Sequence, residues 1–188
     1  MADRKAALKS ILRAAPGLMH VLEVARDLAL PDWLVFSGAV YQPVWNHLTG
    51  RAPGYGIKDY DLGYFDPADL SAEGEEAVTR RVAAAFEPPF HEMVEPCNQA
   101  RVHLWFEDYY GEAYSPLQSS AEALERFTAT AFAVGVRLEP SGKLTIEAPF
   151  GLDDLFAMRL RPNPKRATRG FDKSVANVRS RWPELTIG

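Results

Sequence analysis

Residues 33–66 constrain the fold of this chain more than any other part of the sequence. Residues 33–36 are a short apolar run that ends in the small pair Ser37-Gly38, a pattern typical of a buried strand followed by a tight turn. Residues 39–48 place apolar side chains at helical spacing, and residues 58–65 alternate with a period of two. The sequence therefore predicts a strand, a helix and a second strand in direct succession, as in α/β and α+β proteins.

The same reasoning predicts further helices and strands over the rest of the chain. Helices are expected over 4–28 (broken at Pro16-Gly17), 71–86, 120–130 and 151–158, with a weakly helical, basic tail over 165–182. Strands are expected over 90–94, 100–106, 133–138 and 143–147. We expect a mixed sheet with flanking helices in one domain over 1–188, in which 1–30 form N-terminal helices and 162–188 a basic C-terminal appendage.

Composition places the chain among ordinary globular proteins. Of its 188 residues, 47% are hydrophobic and 24% are charged. A net charge of −4 gives the chain no overall attraction for nucleic acid or anionic membranes. The single cysteine, Cys97, excludes a disulfide within the chain and argues against a thiolate zinc site. The sequence shows neither a secretory signal nor an apolar run of about 18 residues, so we expect a cytoplasmic protein that does not span a membrane.

Two aspartates on the second predicted strand are candidates for a metal site. Asp59 and Asp61 are two positions apart, so their side chains leave the same face of the strand, roughly 6–7 Å apart at the backbone. Neighbouring carboxylates repel each other unless a cation neutralises them, and their oxygens suit Mg²⁺ or Mn²⁺. Taken alone, the pair is more typical of two solvated residues on an edge strand.

The pair Ser37-Gly38 is a candidate phosphate site. Small residues at a strand-to-helix junction let a phosphate approach the backbone, and the first N–H groups of a helix attract anions. A plain turn is the alternative. Lys58, next to Asp59, either neutralises phosphate or lies in solvent.

These motifs resemble those of a known enzyme superfamily. Phe36-Ser37-Gly38-Ala39-Val40, Leu48-Thr49-Gly50-Arg51 and Lys58-Asp59-Tyr60-Asp61-Leu62 resemble the head of DNA-polymerase-β-type nucleotidyltransferases, especially tRNA nucleotidyltransferase and poly(A) polymerase. Most of the remaining chain is similar to a family of small bacterial nucleotidyltransferases. That similarity runs through residues 64–66, 98–105, 148–155 and 161–164.

The resemblance implies a polymerase-β-like core and a metal-dependent reaction. A nucleoside monophosphate would pass from an NTP to an acceptor hydroxyl. Asp59 and Asp61 would be the catalytic metal ligands for Mg²⁺ or Mn²⁺. Ser37 and Gly38 would hold the β and γ phosphates.

Two departures from the tRNA enzymes argue against CCA addition. Tyr41-Gln42 stands where those enzymes have Arg-Asp. The chain also has no Arg-Arg-Asp motif after the second strand and no large helical body after the head.

The superfamily usually has a third carboxylate on a neighbouring strand, and the strand predicted over 100–106 has none. Its polar face carries Arg101, His103 and Trp105, while Glu107 follows it and Glu147 ends a later strand. His103 is a candidate replacement ligand, and Glu107 a further candidate.

A polar group over 98–103 has two interpretations. The planar guanidinium of Arg101 suits a phosphate, with Asn98 and His103 beside it. The alternative is an ordinary strand face whose polar groups pair with their neighbours.

The sequence leaves several functions open. The chain is a nucleotidyltransferase acting on a small molecule, a protein or an RNA end, a nucleotide-binding module without turnover, a transferase acting on a partner protein, or a scaffold without a nucleotide site. The basic residues of the tail, Lys165, Arg166, Arg169, Lys173, Arg179 and Arg181, form either a solvated face or a contact with RNA. No oligomeric state is predicted.

Overall fold

A five-stranded mixed sheet lies at the centre of the computed structural model, which describes residues 2–166 and 170–188. Its spatial order is β3-β2-β1-β4-β5, and only the β2–β3 pair is parallel. The strands are β1 (Leu34–Phe36), β2 (Tyr60–Tyr64), β3 (Val94–Asn98), β4 (Gly135–Leu138) and β5 (Leu144–Glu147). The prediction of a mixed sheet with flanking helices is confirmed.

Helices surround this sheet, and a short second sheet lies near the C-terminal end. The helices are α1 (Ala2–Arg13), α2 (Pro16–Leu28), α3 (Gly38–Leu48), α4 (Ala72–Ala84), α5 (Phe90–Met93), α6 (Phe106–Tyr110), α7 (Ser120–Ala123), α8 (Asp153–Phe156) and α9 (Phe171–Arg179). Single 3₁₀ turns span Val102–Leu104, Leu124–Arg126 and Thr130–Phe132. Strands β6 (Arg159–Leu160) and β7 (Thr186–Ile187) pair in parallel. None of the helices in the described ranges is long and apolar enough to cross a bilayer.

Strand β1 and helix α3 are buried together in the middle of the molecule. All three residues of β1 are buried, because β2 and β4 flank the strand on both sides. Helix α3 begins directly after Ser37 and is buried from Gly38 to Asn46. Pro43 lies in the second turn of α3, where the missing N–H costs a single helical hydrogen bond. The strand-to-helix junction is therefore rigidly packed.

The C-terminal segment packs into the same core as the N-terminal helices. Val175, Val178 and Trp182 belong to one cluster with residues of α1, α2 and α3. Trp182 is fully buried, and its indole Nε1 donates a hydrogen bond to Asn46 Oδ1 at 3.0 Å. Residues 171–188 therefore help to hold α3 in place. Arg169 of the predicted basic tail lies outside the described residues.

Three sequence-based assignments are wrong. Residues 90–94 begin as the short helix α5, and the strand runs from Val94 to Asn98. The strand predicted over 100–106 is a 3₁₀ turn followed by α6. The helix predicted over 120–130 stops after one turn and continues as two separate 3₁₀ turns.

The side chain of Asn98 explains the turn that replaces the strand predicted over 100–106. Its Oδ1 accepts hydrogen bonds from the N–H groups of Asp66 and Ala100, at 3.0 and 3.1 Å. Its Nδ2 donates to the carbonyls of Asp66 and Asp69. These bonds turn the chain away from the sheet directly after β3.

A buried carboxylate, Asp154 of α8, connects the 3₁₀ turn at Thr130 with strand β6 and the residue that follows it. It accepts hydrogen bonds from Thr130 at 2.7 Å, from Arg159 at 2.9 Å and from Arg161 at 2.8 Å. Burial alone would raise the pKa of this carboxyl group, but the bonds from Thr130, Arg161 and Arg159 outweigh burial and hold the pKa below its usual value.

Replacing Asp154 by alanine should destabilise the protein by about 3 kcal/mol at neutral pH, because the three donors lose a buried anionic acceptor. The depressed pKa means that the carboxylate stabilises the fold fully above the ordinary value of 3.8, and that this contribution is lost as the pH falls through the lower folded-state pKa. Urea unfolding at pH 7 and at decreasing acidic pH measures both effects.

The adjacent Asp153→Ala variant is the control. The side chain of Asp153 is 71% exposed and pairs with Arg4 at the surface, so its loss should change stability by less than about 1 kcal/mol. An Asp154→Ala loss that is equally large in strong acid would contradict this account.

Candidate active site

Strand β2 presents its polar face to a cluster of carboxylates. Tyr60, Leu62 and Tyr64 are buried in the core, so Asp61 leaves the opposite face of the strand. Asp59 is exposed and comes directly before β2. Asp61 is opposite Phe36 of β1, and on its other side it is opposite Glu95 of the parallel strand β3.

Glu95 is the neighbouring carboxylate that the sequence analysis missed. It is exposed on β3, in register with Asp61. Neither Glu107, which is on α6, nor Glu147, at the end of the outermost strand β5, occupies such a position. The sequence does contain a signal, because Val94 and Asn98 are buried on either side of a polar Glu-Pro pair, but the pairing with β2 is not local.

These carboxylates lie in an environment short of positive charge. The pKa of Asp61 is raised to about 6, first by burial and then by the negative charges of Asp59 and Glu95, while a hydrogen bond with Ser37 opposes the rise. No arginine or lysine within the described residues forms an ion pair with any of the three carboxylates.

The carboxylates have the donor chemistry of a site for a hard divalent cation. Carboxylate oxygens are the ligands that Mg²⁺ prefers, and a cation would relieve the repulsion that raises the pKa of Asp61. Within residues 2–166 and 170–188, no three Asp, Glu, His or Cys side chains are arranged to hold a metal ion together. The donor set is thus the pair Asp59 and Asp61, with Glu95 on the next strand.

Ser37 stands in a strained conformation at the start of α3. Its φ of 64° and ψ of −138° are rarely adopted by residues other than glycine. Phe36, directly before it, is opposite Asp61 in the sheet, and Ser37 and Asp61 line the same cavity, so the carboxylates and the helix start are neighbours. The first N–H groups of a helix have no acceptor within it and attract anions.

The second residue of the junction, Gly38, leaves no room for a side chain. A β-carbon there would lie 2.5 Å from Nε2 of Gln42, one turn further along α3. Tyr41 lies on the same helix end, and burial raises the pKa of its hydroxyl to about 12, so it remains a neutral hydrogen-bonding group.

A cavity of about 390 Å³ opens beside this junction, with Ser37, Tyr41 and Asp61 in its wall. Aromatic rings make up much of the remaining wall: Phe36, Trp105, Phe106, Tyr110, Tyr114, Phe127 and Phe132. The polar side chains there are Gln99, Arg126, Thr128, Arg166, Ser174 and Asn177. A largely aromatic cavity with a few polar groups and an acidic end is typical of a small-molecule site.

Of the residues predicted for the site, only Ser37 and Asp61 line this cavity; Gly38 and Asp59 adjoin it in sequence, and the remaining ones lie outside its wall. Lys58 is exposed next to Asp59. Arg101 forms an ion pair with Glu75 of α4 and donates to the carbonyl of Leu70 at 3.3 Å. Both side chains of the ion pair are less than one fifth exposed, so Arg101 joins α4 to the sheet rather than facing the cavity.

Asn98, His103 and Glu107 are likewise separate from the cavity wall. Asn98 is buried, and its side-chain amide forms the hydrogen bonds of the backbone turn described above. His103 lies on the 3₁₀ turn, and its Nδ1 is buried without a partner in the part of the chain that the structure describes. Glu107 is exposed on α6.

Comparison with known proteins identifies the family of this chain. The sequence pattern of a family described as nucleotidyltransferases matches residues 23–187. The chain belongs to this nucleotidyltransferase family. The match includes β1, α3 and β2, and therefore Ser37, Gly38, Asp59 and Asp61.

One solved structure shares the fold of this nucleotidyltransferase over almost its whole length. A protein whose NMR structure reveals a CCA-adding enzyme head domain is 26% identical, with a TM-score of 0.77 over 96% of this chain and 95% of its own. A tRNA-processing enzyme in an apo form is 19% identical, with a TM-score of 0.47, and the match spans 89% of this chain but 44% of that enzyme. No curated protein matches in sequence. The resemblance to the polymerase-β-type superfamily is confirmed at the level of family and fold.

Arg101→Ala should reduce the stability of this nucleotidyltransferase by about 3 kcal/mol, because Glu75 would keep a largely buried and unpaired charge. Removing both partners in Arg101→Ala/Glu75→Ala should recover part of this loss. Urea unfolding measures stability, and calorimetric titration of NTPs should show unchanged affinity in both variants. A large loss of NTP affinity in the Arg101 variants, without a matching loss of stability, would instead show that Arg101 binds the nucleotide.

Proposed function

We propose that this nucleotidyltransferase transfers a nucleoside monophosphate from an NTP to an acceptor hydroxyl in a reaction that depends on Mg²⁺ or Mn²⁺. The observation that carries the proposal is that Ser37, strained at the start of α3, and Asp61, which no arginine or lysine of the described residues pairs with, line one cavity. This arrangement places a site that attracts phosphate beside a site that attracts a divalent cation.

In this proposal Asp59 and Asp61 hold the metal, and Glu95 is the third carboxylate. The metal would polarise the phosphoryl group and lower the pKa of the attacking hydroxyl. Asp59 and Asp61 would neutralise its charge and fix its position relative to β1 and α3, while Glu95, in register with Asp61 on β3, adds a negative charge nearby. Strand β2 keeps Asp61 in place, because its alternate residues are buried in the core.

Ser37 and Gly38 bind the phosphates of the nucleotide. The backbone N–H groups at the start of α3 donate to phosphate oxygens, and the partial positive charge of the helix end favours the same ligand. Gly38 allows the close approach, since it has no side chain, and a β-carbon there would require the amide of Gln42 to move. Lys58 is close in sequence to the metal ligands and adds a positive charge at the exposed side.

The aromatic cavity holds the nucleoside. Its volume of about 390 Å³ lies within the usual range for ligand sites, and rings such as Phe106 and Tyr110 offer faces on which a base stacks. Thr128, Ser174 and Asn177 provide neutral hydrogen-bonding groups in the same wall. Arg101 and Asn98 have no part in this proposal, because other protein groups already hold their side chains.

Similarity to a CCA-adding enzyme head domain does not by itself make tRNA the acceptor. The relative with 26% identity has a CCA-adding enzyme head domain, but Tyr41-Gln42 replaces the Arg-Asp pair of that enzyme pattern. Several basic residues of the tail are paired with acidic side chains: Lys165 with Glu125, and Arg166 with Glu112. These pairs reduce the positive charge available to a polyanionic acceptor such as RNA. We therefore favour a hydroxyl of a small molecule or of a protein as the acceptor.

Calorimetric titration of ATP, GTP, CTP and UTP, with and without Mg²⁺, tests the proposal. Wild type should bind at least one NTP in the presence of Mg²⁺, and Asp59→Asn/Asp61→Asn should weaken this binding at least about 10-fold, since a charge-assisted contact is worth about 1.5–3 kcal/mol. Asp27→Asn, which alters an exposed carboxylate on α2, is the control and should bind as wild type does. No magnesium-dependent binding of any NTP would refute the proposal.

Turnover separates an enzyme from a nucleotide-binding module. With the NTP that binds best, labelled at the α-phosphate, wild type should release pyrophosphate and transfer label to a hydroxyl acceptor supplied as a small-molecule mixture or as cell protein. Binding without pyrophosphate release over all acceptors would support a binding module.

Ser37→Gly should change stability and binding in opposite directions. Glycine adopts the observed backbone conformation without strain, so the variant should be more stable by about 1 kcal/mol. It also loses the hydrogen bond to Asp61, so NTP affinity should fall by several-fold. Thermal unfolding and calorimetry measure the two effects, and unchanged affinity would show that the Ser37 side chain has no role in binding.

A further inference from the structure

We propose that Arg126 binds the phosphate chain of the nucleotide. This inference rests on the proposed function, because it assigns a ligand group to a residue in the same cavity. No feature of the local sequence marks Arg126, which lies in a 3₁₀ turn between α7 and Phe127.

Arg126 lies in the wall of the cavity that opens beside the start of α3. The next residue, Phe127, packs its ring edge-on against Phe36, with the ring centroids 5.6 Å apart. Phe36 is the last residue of β1 and precedes Ser37 directly. Arg126, Ser37 and Asp61 line one cavity.

The backbone around Arg126 is fixed by two side chains from the C-terminal part of the chain. Asn163, which is buried, donates from Nδ2 to the carbonyls of Glu125 and Phe127, at 2.8 and 2.7 Å. Arg166 donates from Nη1 to the carbonyl of Arg126 at 2.5 Å. Three consecutive carbonyls therefore have partners, and the direction in which the side chain of Arg126 leaves the backbone is set before a ligand binds.

The guanidinium of Arg126, by contrast, has no polar partner among the residues that the structure describes. It lies over the ring of Tyr114, 5.2 Å from the centroid, and this contact supports the side chain without using its N–H groups. The neighbouring Arg166 is the opposite case, since its Nε and Nη2 donate to the two carboxylate oxygens of Glu112, both at 2.8 Å.

These observations favour an anionic ligand for Arg126. A guanidinium carries five N–H donors in a fork that matches phosphate oxygens, and leaving it unpaired in the wall of a partly enclosed cavity is unfavourable. The proposed nucleotide brings up to four negative charges to the same cavity. A guanidinium in the wall of this cavity would balance part of the charge of the phosphate chain.

Binding of inorganic triphosphate in the presence of Mg²⁺ tests this assignment without knowledge of the base. Arg126→Ala should weaken triphosphate binding about 10- to 100-fold in calorimetric titration, as expected for loss of a charge-assisted hydrogen bond. Arg126→Lys keeps the charge but not the forked guanidinium, so its affinity for triphosphate should lie between those of wild type and Arg126→Ala. Arg80→Ala removes one exposed positive charge from α4 and should bind as wild type does.

A second comparison distinguishes phosphate from base. For the NTP that binds best, Arg126→Ala should lower affinity by the factor seen with triphosphate, whereas affinity for the corresponding nucleoside should not change. An equal loss for NTP and nucleoside would overturn the proposal and assign Arg126 to the base. Unchanged affinity of Arg126→Ala for triphosphate and NTP would also overturn the proposal, and binding of the acceptor would then be the role left for Arg126.

The same experiments separate this inference from the proposed function. If wild type binds NTP with Mg²⁺, Asp59→Asn/Asp61→Asn loses that binding and Arg126→Ala retains it, the proposed function stands and the Arg126 assignment fails. If wild type binds neither NTP nor triphosphate, both fail. Urea unfolding confirms that Arg126→Ala is folded, which we expect because the bonds from Asn163 and Arg166 go to the backbone.

Discussion

The alternation of side chains along β2 is the constraint on which the rest of the site depends. Tyr60, Leu62 and Tyr64 fill the core, so the residues between them have to face the other side of the sheet. Asp61 is thereby brought against Ser37, which starts α3. Gly63 follows on the same face, and the ring of Phe36 covers it at a distance that excludes any side chain. Burial of one face thus fixes the chemistry of the other.

The parts of the site that the sequence predicts are those that depend on local pattern. Ser37-Gly38 lies between a buried strand and a helix, and Asp61 lies in an alternating run, so both could be placed from a few neighbouring residues. The family resemblance rests on the same residues. The β4–β5 hairpin was also predictable, because a turn rich in proline and glycine separates two short apolar runs.

The parts that were missed depend on contacts between distant segments. Glu95 becomes a neighbour of Asp61 only through the parallel pairing of β2 and β3. In the sequence these two strands are separated by α4 and α5. The alternation at Arg101 and His103 suggested a strand, but the amide of Asn98 turns the chain before a strand can form. Arg101 looked available to a phosphate because nothing in the sequence shows that Glu75 reaches it.

The buried indole of Trp182 connects the C-terminal segment to the loop before Asp59. It bonds to Asn46, whose amide in turn donates to the carbonyls of Pro53 and Tyr55. Arg181 holds the next stretch of the loop through the carbonyl of Gly56. The proposed metal ligand is therefore anchored from more than a hundred residues away. Changes near the C-terminal end would alter the geometry of the proposed metal site as well as the stability of the fold.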